Sequence, residues 1–146
     1  METSKRERLI LVVDDHREHL EIIKQVLASS TIPCQVVTVP NSSQALDFLH
    51  HQGDYQQATR PDLILLDPHL PDGNGQSILL EIKTDASLRR IPTIVLSHTS
   101  EPNSILSNYQ LQCNSYVVKP QDLIHLGDVM QVIESFWLNI VTLPLE

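Results

Sequence analysis

The sequence predicts an α/β domain: a doubly wound sheet of five parallel strands with five helices on its two faces. Three observations carry this. Five short apolar runs recur at intervals too long for hairpins. Each run is continuous rather than alternating, as strands buried on both faces are. The stretches between them repeat apolar residues at spacings of three and four, which is a helix face. Right-handed crossovers then put helices on both sides of a parallel sheet.

The first strand is Leu9-Ile10-Leu11-Val12-Val13. Leu20, Ile23 and Leu27, with Ile22 and Val26, form the first helical stripe, which ends at Ser29-Ser30-Thr31. Val36 to Val39 is the second strand, and Ala45, Leu46 and Leu49 follow a helix cap at Asn41 or Ser42. His50 to Arg60, polar with Gly53 inside it, reads as a linker-like connection to the third strand, Leu63-Ile64-Leu65-Leu66. Ile78, Leu79 and Ile82 mark the third helix, Thr93-Ile94-Val95-Leu96 the fourth strand, and Ile105, Leu106 and Leu111 the fourth helix. After the fifth strand, Tyr116-Val117-Val118, comes the clearest helix: Leu123, Leu126, Met130, Ile133, Trp137 and Ile140, starting just after Pro120.

Length and composition narrow the function. A chain of 146 residues, 41% hydrophobic and 19% charged, makes one globular domain with a real core. We take 1–146 as a single domain with a core at about 8–140, a short polar N-terminal tail, and a C-terminal helix and tail. The net charge of −8, with scattered basic residues, argues against a nucleic-acid partner. Cys34 and Cys113, with no CxxC pair, signal neither a disulfide framework nor a zinc site, which suits a reducing, cytoplasmic setting. Met1 to Arg8 is polar, with no secretory signal, and the longest apolar runs fall far short of the roughly 20 residues that cross a bilayer.

In a doubly wound sheet the site lies beyond the carboxyl ends of the strands. Those ends are Asp14-Asp15, Asp67, Ser97-His98 and Lys119-Pro120. If the first and third strands are neighbours, three carboxylates meet, and repulsion raises some of their pKa values unless a cation sits among them. Oxygen ligands favour a hard ion such as Mg²⁺. A hydroxyl and an ammonium on the other strands would complete a site for a tetrahedral anion. Taken singly, Asp15 reads as a cap for the helix that starts at His16, Asp67 as a turn opener before Pro68, Ser97 as a helix-entry residue and Lys119 as a solvated charge. Their conjunction at four strand ends favours function. The pairs His16/His19 and His50/His51, without cysteines or a third ligand, read as solvated, and His69 and His98 as surface histidines. Dinucleotide, P-loop and nucleophile-elbow motifs are absent, and Asp14-Asp15 would repel a flavin phosphate.

These residues resemble the receiver domains of two-component response regulators. The matching pieces are Val12-Val13-Asp14-Asp15, Pro61 to Asp67, Leu70-Pro71 with Asn74-Gly75, Ile91 to Ser97, and Tyr116-Val117-Val118-Lys119-Pro120. The resemblance implies a flavodoxin-like strand order 2-1-3-4-5 and a phosphoryl acceptor at Asp67, charged by a histidine kinase. It also implies Mg²⁺ held by Asp14, Asp15, Asp67 and the backbone carbonyl of His69. Lys119 would pair with Asp67 and then with the phosphoryl group, aimed inward by a cis bond to Pro120. Ser97 would bind the phosphoryl group and vacate space for Tyr116 to turn, altering the face of the fourth helix, fifth strand and fifth helix. No chemistry beyond autodephosphorylation is implied. Ile133 to Leu138 and Val141 to Pro144 resemble the ending of small stand-alone regulators paired with cyanobacterial phytochrome histidine kinases.

Two departures stand out. Pro68 has no N–H to offer a phosphoryl group, and Asn74 stands where Asp often precedes the glycine. Pro68 motivates an alternative, a phosphorylation-independent interaction module. An aspartyl-phosphate phosphatase would usually carry a carboxylate where His69 stands. Val129, Val132, Phe136, Leu138 and Val141 widen the apolar arc of the last helix beyond one stripe. We therefore expect a homodimer through the face of helix 4, strand 5 and helix 5, with Phe136 and Trp137 in the interface.

Overall fold

The computed structural model describes residues 7–144. In chain order its elements are β1 (Arg8–Val13), α1 (Arg17–Ala28), β2 (Cys34–Val39), α2 (Ser42–His50), β3 (Leu63–Leu66), β4 (His69–Leu70), β5 (Gly73–Asn74), α3 (Gly75–Thr84), β6 (Thr93–Ser97), α4 (Pro102–Gln110), β7 (Ser115–Val118) and α5 (Leu123–Glu134). The parallel sheet runs β2-β1-β3-β6-β7. That is the expected order 2-1-3-4-5, once the small antiparallel hairpin of β4 and β5 is set aside.

Successive side chains of a strand point to opposite faces, so a continuous apolar run feeds two cores. Leu9, Leu11 and Val13 of β1 join Phe48 and Leu49 of α2 and Ile78, Leu79 and Ile82 of α3 on one side. Ile10 and Val12 join Ile23 and Leu27 of α1 and Leu126, Met130 and Ile133 of α5 on the other. All four residues of β3 and all five of β6 are buried. The sheet thus holds its strand ends rigidly in place.

The starts of α2, α4 and α5 follow ordinary capping chemistry. The Asn41 side chain accepts the Gln44 N–H at 2.8 Å ahead of α2, Pro102 opens α4, and Asp122 caps α5 by accepting the His125 N–H at 2.8 Å. Part of the expected linker, Gly53–Tyr55, folds as a single 3₁₀ turn.

The last helix differs from expectation. It stops at Glu134, and Ser135–Ile140 forms a π-helical turn, closed by the Val141 N–H donating to the Phe136 carbonyl at 2.8 Å. The wider turn seats Leu138 in the core, and Trp137 packs half-buried against the same cluster. The Glu134 carboxylate anchors it, accepting from Ser30 at 2.6 Å and Asn139 at 2.8 Å.

The resemblance also implied a cis bond to Pro120, and this is corrected: no cis peptide bond occurs among the described residues. What aims Lys119 is the ladder, which runs one residue past β7 through the Lys119 N–H donating to the Ser97 carbonyl at 2.7 Å. Of the expected terminal tails, Met1–Arg6 and Leu145–Glu146 lie outside the described residues. No described helix is long and apolar enough to cross a membrane.

Candidate functional site

Parallel pairing puts the carboxyl ends of β1, β3, β6 and β7 side by side, so Asp14, Asp67, Ser97 and Lys119 share one edge. All four are buried. The Lys119 ammonium lies 2.8 Å from Asp14 Oδ2 and 2.9 Å from Asp67 Oδ2. Asp14 Oδ1 accepts the backbone N–H of His16 at 2.8 Å, and Asp67 Oδ1 accepts that of His69 at 2.8 Å. Every carboxylate oxygen of the buried pair is thereby satisfied, as buried charge requires.

Repulsion among the carboxylates does not govern here, because the cation among them is Lys119 itself. Burial acts to raise the Asp14 carboxyl, but the Lys119 ammonium and the His16 N–H together hold it below the ordinary carboxylate range. Asp15 is exposed and does not cap α1. The cap position is His16, whose N–H is taken by Asp14.

The backbone beyond Asp67 makes good what Pro68 lacks. The missing N–H is replaced one residue on by that of His69, and the Pro68 carbonyl accepts the Gly75 N–H at 2.8 Å. This approach demands glycine at 75: a Cβ there would stand 2.4 Å from Pro68 Cα. The hairpin of β4 and β5 is thereby folded tightly over the site, a feature whose sequence signal is Asp72-Gly73 with Gly75.

On the other side, Ser97 Oγ lies 3.2 Å from His69 Nε2 and accepts the Thr99 N–H at 3.2 Å. The Thr99 carbonyl accepts the Tyr116 hydroxyl at 2.8 Å. A single residue, Thr99, therefore links Ser97 to Tyr116. The hydroxyl, the ring and the His69–His98 pair, centroids 4.6 Å apart, border a cleft of about 700 Å³ that also reaches Asp15 and His16.

The histidines are what sequence reasoning missed. His16 and His19 stack at 4.7 Å beside the carboxylates, and His19 Nδ1 faces Lys119 Nζ at 3.2 Å. Burial and then the Lys119 charge push the His19 imidazole down from its usual value. The signal was their spacing of three at the head of α1, which puts both rings on one side of the first turn. The expected interface residues lie apart from this edge: Phe136 is exposed, while Trp137 packs inward.

A model of the response regulator receiver domain matches residues 10–131. The chain belongs to the response regulator receiver family. As a receiver it is 39% identical over 137 residues to response regulator Rcp1 of Synechocystis sp., covering 94% of this chain and 93% of the relative. Its fold superposes on the Mn²⁺-bound form of Rcp1 with a TM-score of 0.92 at 38% identity, covering 94% of this chain and 99% of the other. It superposes on the phosphorylated cyanobacterial phytochrome response regulator RcpA with a TM-score of 0.93 at 41% identity, covering 96% and 100%. Receivers of this family are signalling proteins that bind a divalent metal.

Proposed function

We propose that this receiver accepts a phosphoryl group on Asp67 from a histidine kinase of the phytochrome type, and signals by a phosphorylation-dependent change of its own surface. The observation that carries the reading is the buried Asp67–Lys119 pair, 2.9 Å apart, with Asp14 on the same ammonium. The likeness to a phosphorylated phytochrome regulator supports the partner.

The donor set suits a divalent ion. Asp14, Asp15 and Asp67 against the one ammonium of Lys119 leave two negative charges to balance. Hard carboxylate oxygens, with the His69 carbonyl, would hold Mg²⁺. When bound, the ion supplies positive charge opposite the transferring oxygens.

The chain's own residues do the rest. An Asp67 oxygen bonds phosphorus as the N–P bond of the partner's phosphohistidine breaks and its imidazole leaves. Lys119, already on Asp67, stays to neutralise the new phosphoryl charge. The Ser97 hydroxyl exchanges His69 Nε2 for a phosphoryl oxygen, and its Thr99 link pulls on the carbonyl that holds Tyr116. Tyr116 then turns, and the surface of α4, β7 and α5 repacks as one of two pre-existing arrangements gains population. Hydrolysis of the acyl phosphate resets the switch.

A second copy of this chain completes the reading, covering the apolar patch of Val132, Phe136 and Ile140 beyond the α5 end of that surface. The site test is mass spectrometry after acetyl phosphate and Mg²⁺. One added phosphoryl group on Asp67, absent from Asp67→Asn, is expected. An adduct that persists in Asp67→Asn overturns the assignment, and equal partner binding by both proteins favours the phosphorylation-independent module that Pro68 suggested.

A further inference from the structure

His16 has no part in the phosphoryl-acceptor reading, yet its ring is aimed into the same carboxylates. Its Nδ1 lies 2.8 Å from Asp14 Oδ1 and 3.5 Å from both Asp15 Oδ1 and Asp67 Oδ2. Neighbouring ligands on one ion, each about 2.1 Å from it, stand about 3 to 3.5 Å apart. The imidazole nitrogen therefore already stands at a ligand's distance from the Asp15 and Asp67 carboxylates, and at hydrogen-bond distance from that of Asp14. We propose that the metal site of this receiver is a mixed carboxylate–imidazole centre, with His16 Nδ1 as a nitrogen ligand that makes it favour Mn²⁺ and later first-row ions over Mg²⁺. The inference rests on the divalent site of the receiver reading and adds to it an atom and a selectivity.

Four features support it. Imidazole suits transition ions, whereas Mg²⁺ takes oxygen and surrenders its waters reluctantly. His16 occupies the cap position of α1 without any side-chain bond to the helix, so its ring serves the pocket and not the helix end. The ring is oriented by its stack on His19, 4.7 Å away, while His19 spends its own Nδ1 on Lys119 at 3.2 Å. Ligand atoms of Asp14, His16 and His19 lie within 4.8 Å of one another. Ligation requires the His16 tautomer that carries its hydrogen on Nε2, and the exchange is open to solvent because the side chain is 44% exposed.

The test is electron spin-echo spectroscopy of the Mn²⁺-loaded protein beside metal titrations of wild type, His16→Ala and His19→Ala. Nitrogen-14 modulation is expected in wild type and His19→Ala and lost in His16→Ala. We expect His16→Ala to weaken Mn²⁺ at least about tenfold and Mg²⁺ by less than about threefold, since oxygen ligands alone serve the harder ion. Circular dichroism melting verifies that His16→Ala is folded. Mn²⁺ bound without nitrogen modulation, or modulation that survives His16→Ala, overturns the inference and leaves the receiver reading standing. If neither ion binds, the divalent site itself fails, and this inference with it.

Discussion

The carboxyl edge of the sheet and the C-terminal turn break the ordinary burial rule in opposite directions. At the edge, charge is buried: Asp14, Asp67 and Lys119 are each 2% exposed. In the turn and the helix before it, apolar surface is exposed, with Phe136 at 46% and Ile140 at 69%. At the edge each oxygen of the buried Asp14 and Asp67 carboxylates has a donor from its own chain. The turn differs: Phe136 meets Trp137 edge to face, yet it and Ile140 leave apolar surface open to solvent. One region is built around a reaction and the other around a surface, and substitutions should separate the two.

Lys119→Met should have the largest effect. It strands two buried carboxylates, a change that costs about 3–5 kcal/mol when one partner of a buried pair is removed. Urea denaturation is expected to show that loss in metal-free buffer, with partial recovery in Mg²⁺, because a divalent ion restores positive charge between Asp14 and Asp67. Adding Asp14→Asn to Lys119→Met should recover part of it as well. A single variant as stable as wild type without metal would mean that the edge does not depend on its ammonium.

The second comparison lies inside the turn. Leu138 is 7% exposed and its neighbour Phe136 is 46% exposed. Leu138→Ala should cost about 2 kcal/mol or more, as removal of a buried leucine does. Phe136→Ala loses mainly its edge-to-face contact with Trp137, worth about 1 kcal/mol. Phe136→Asp, by contrast, should convert the proposed dimer to monomer in analytical ultracentrifugation while the melting temperature hardly moves. A dimer that survives it places the interface elsewhere on the molecule.

The same contrast explains what the sequence disclosed. Strand order and site were legible because parallel strands must be apolar throughout, so Asp14, Asp67, Ser97 and Lys119 stood out as the polar residues that end those runs. The π-helical turn was not legible, since Trp137 and Ile140 continue the three-and-four spacing of α5 and only the anchoring of Glu134 by Ser30, remote in sequence, marks the change. Nor was the role of His16, because its meaning depends on Asp67 lying across from β1. An imidazole beside two aspartates along the chain is ordinary. Three carboxylates around it arise only from strand pairing.

The smallest effect tests how far burial, rather than charge pairing itself, gives the edge its strength. Asp122 and His125 form an ion pair at the start of α5, with Oδ2 to Nδ1 at 2.5 Å and both side chains exposed. The hydrogen bond to Asp122, and then its charge, raise the His125 pKa above the usual imidazole value. A raised pKa means that the pair's contribution is full at pH below the ordinary histidine range and fades as pH rises through the raised value. Asp122→Asn keeps an effective helix cap and removes the charge. Proton NMR titration should therefore return the His125 midpoint toward its usual value, and the stability difference between the two proteins should shrink with rising pH and with added salt. If the difference instead persists in high salt and at alkaline pH, exposure is not what weakens this pair, and the edge owes less to its burial than the Lys119 triad suggests.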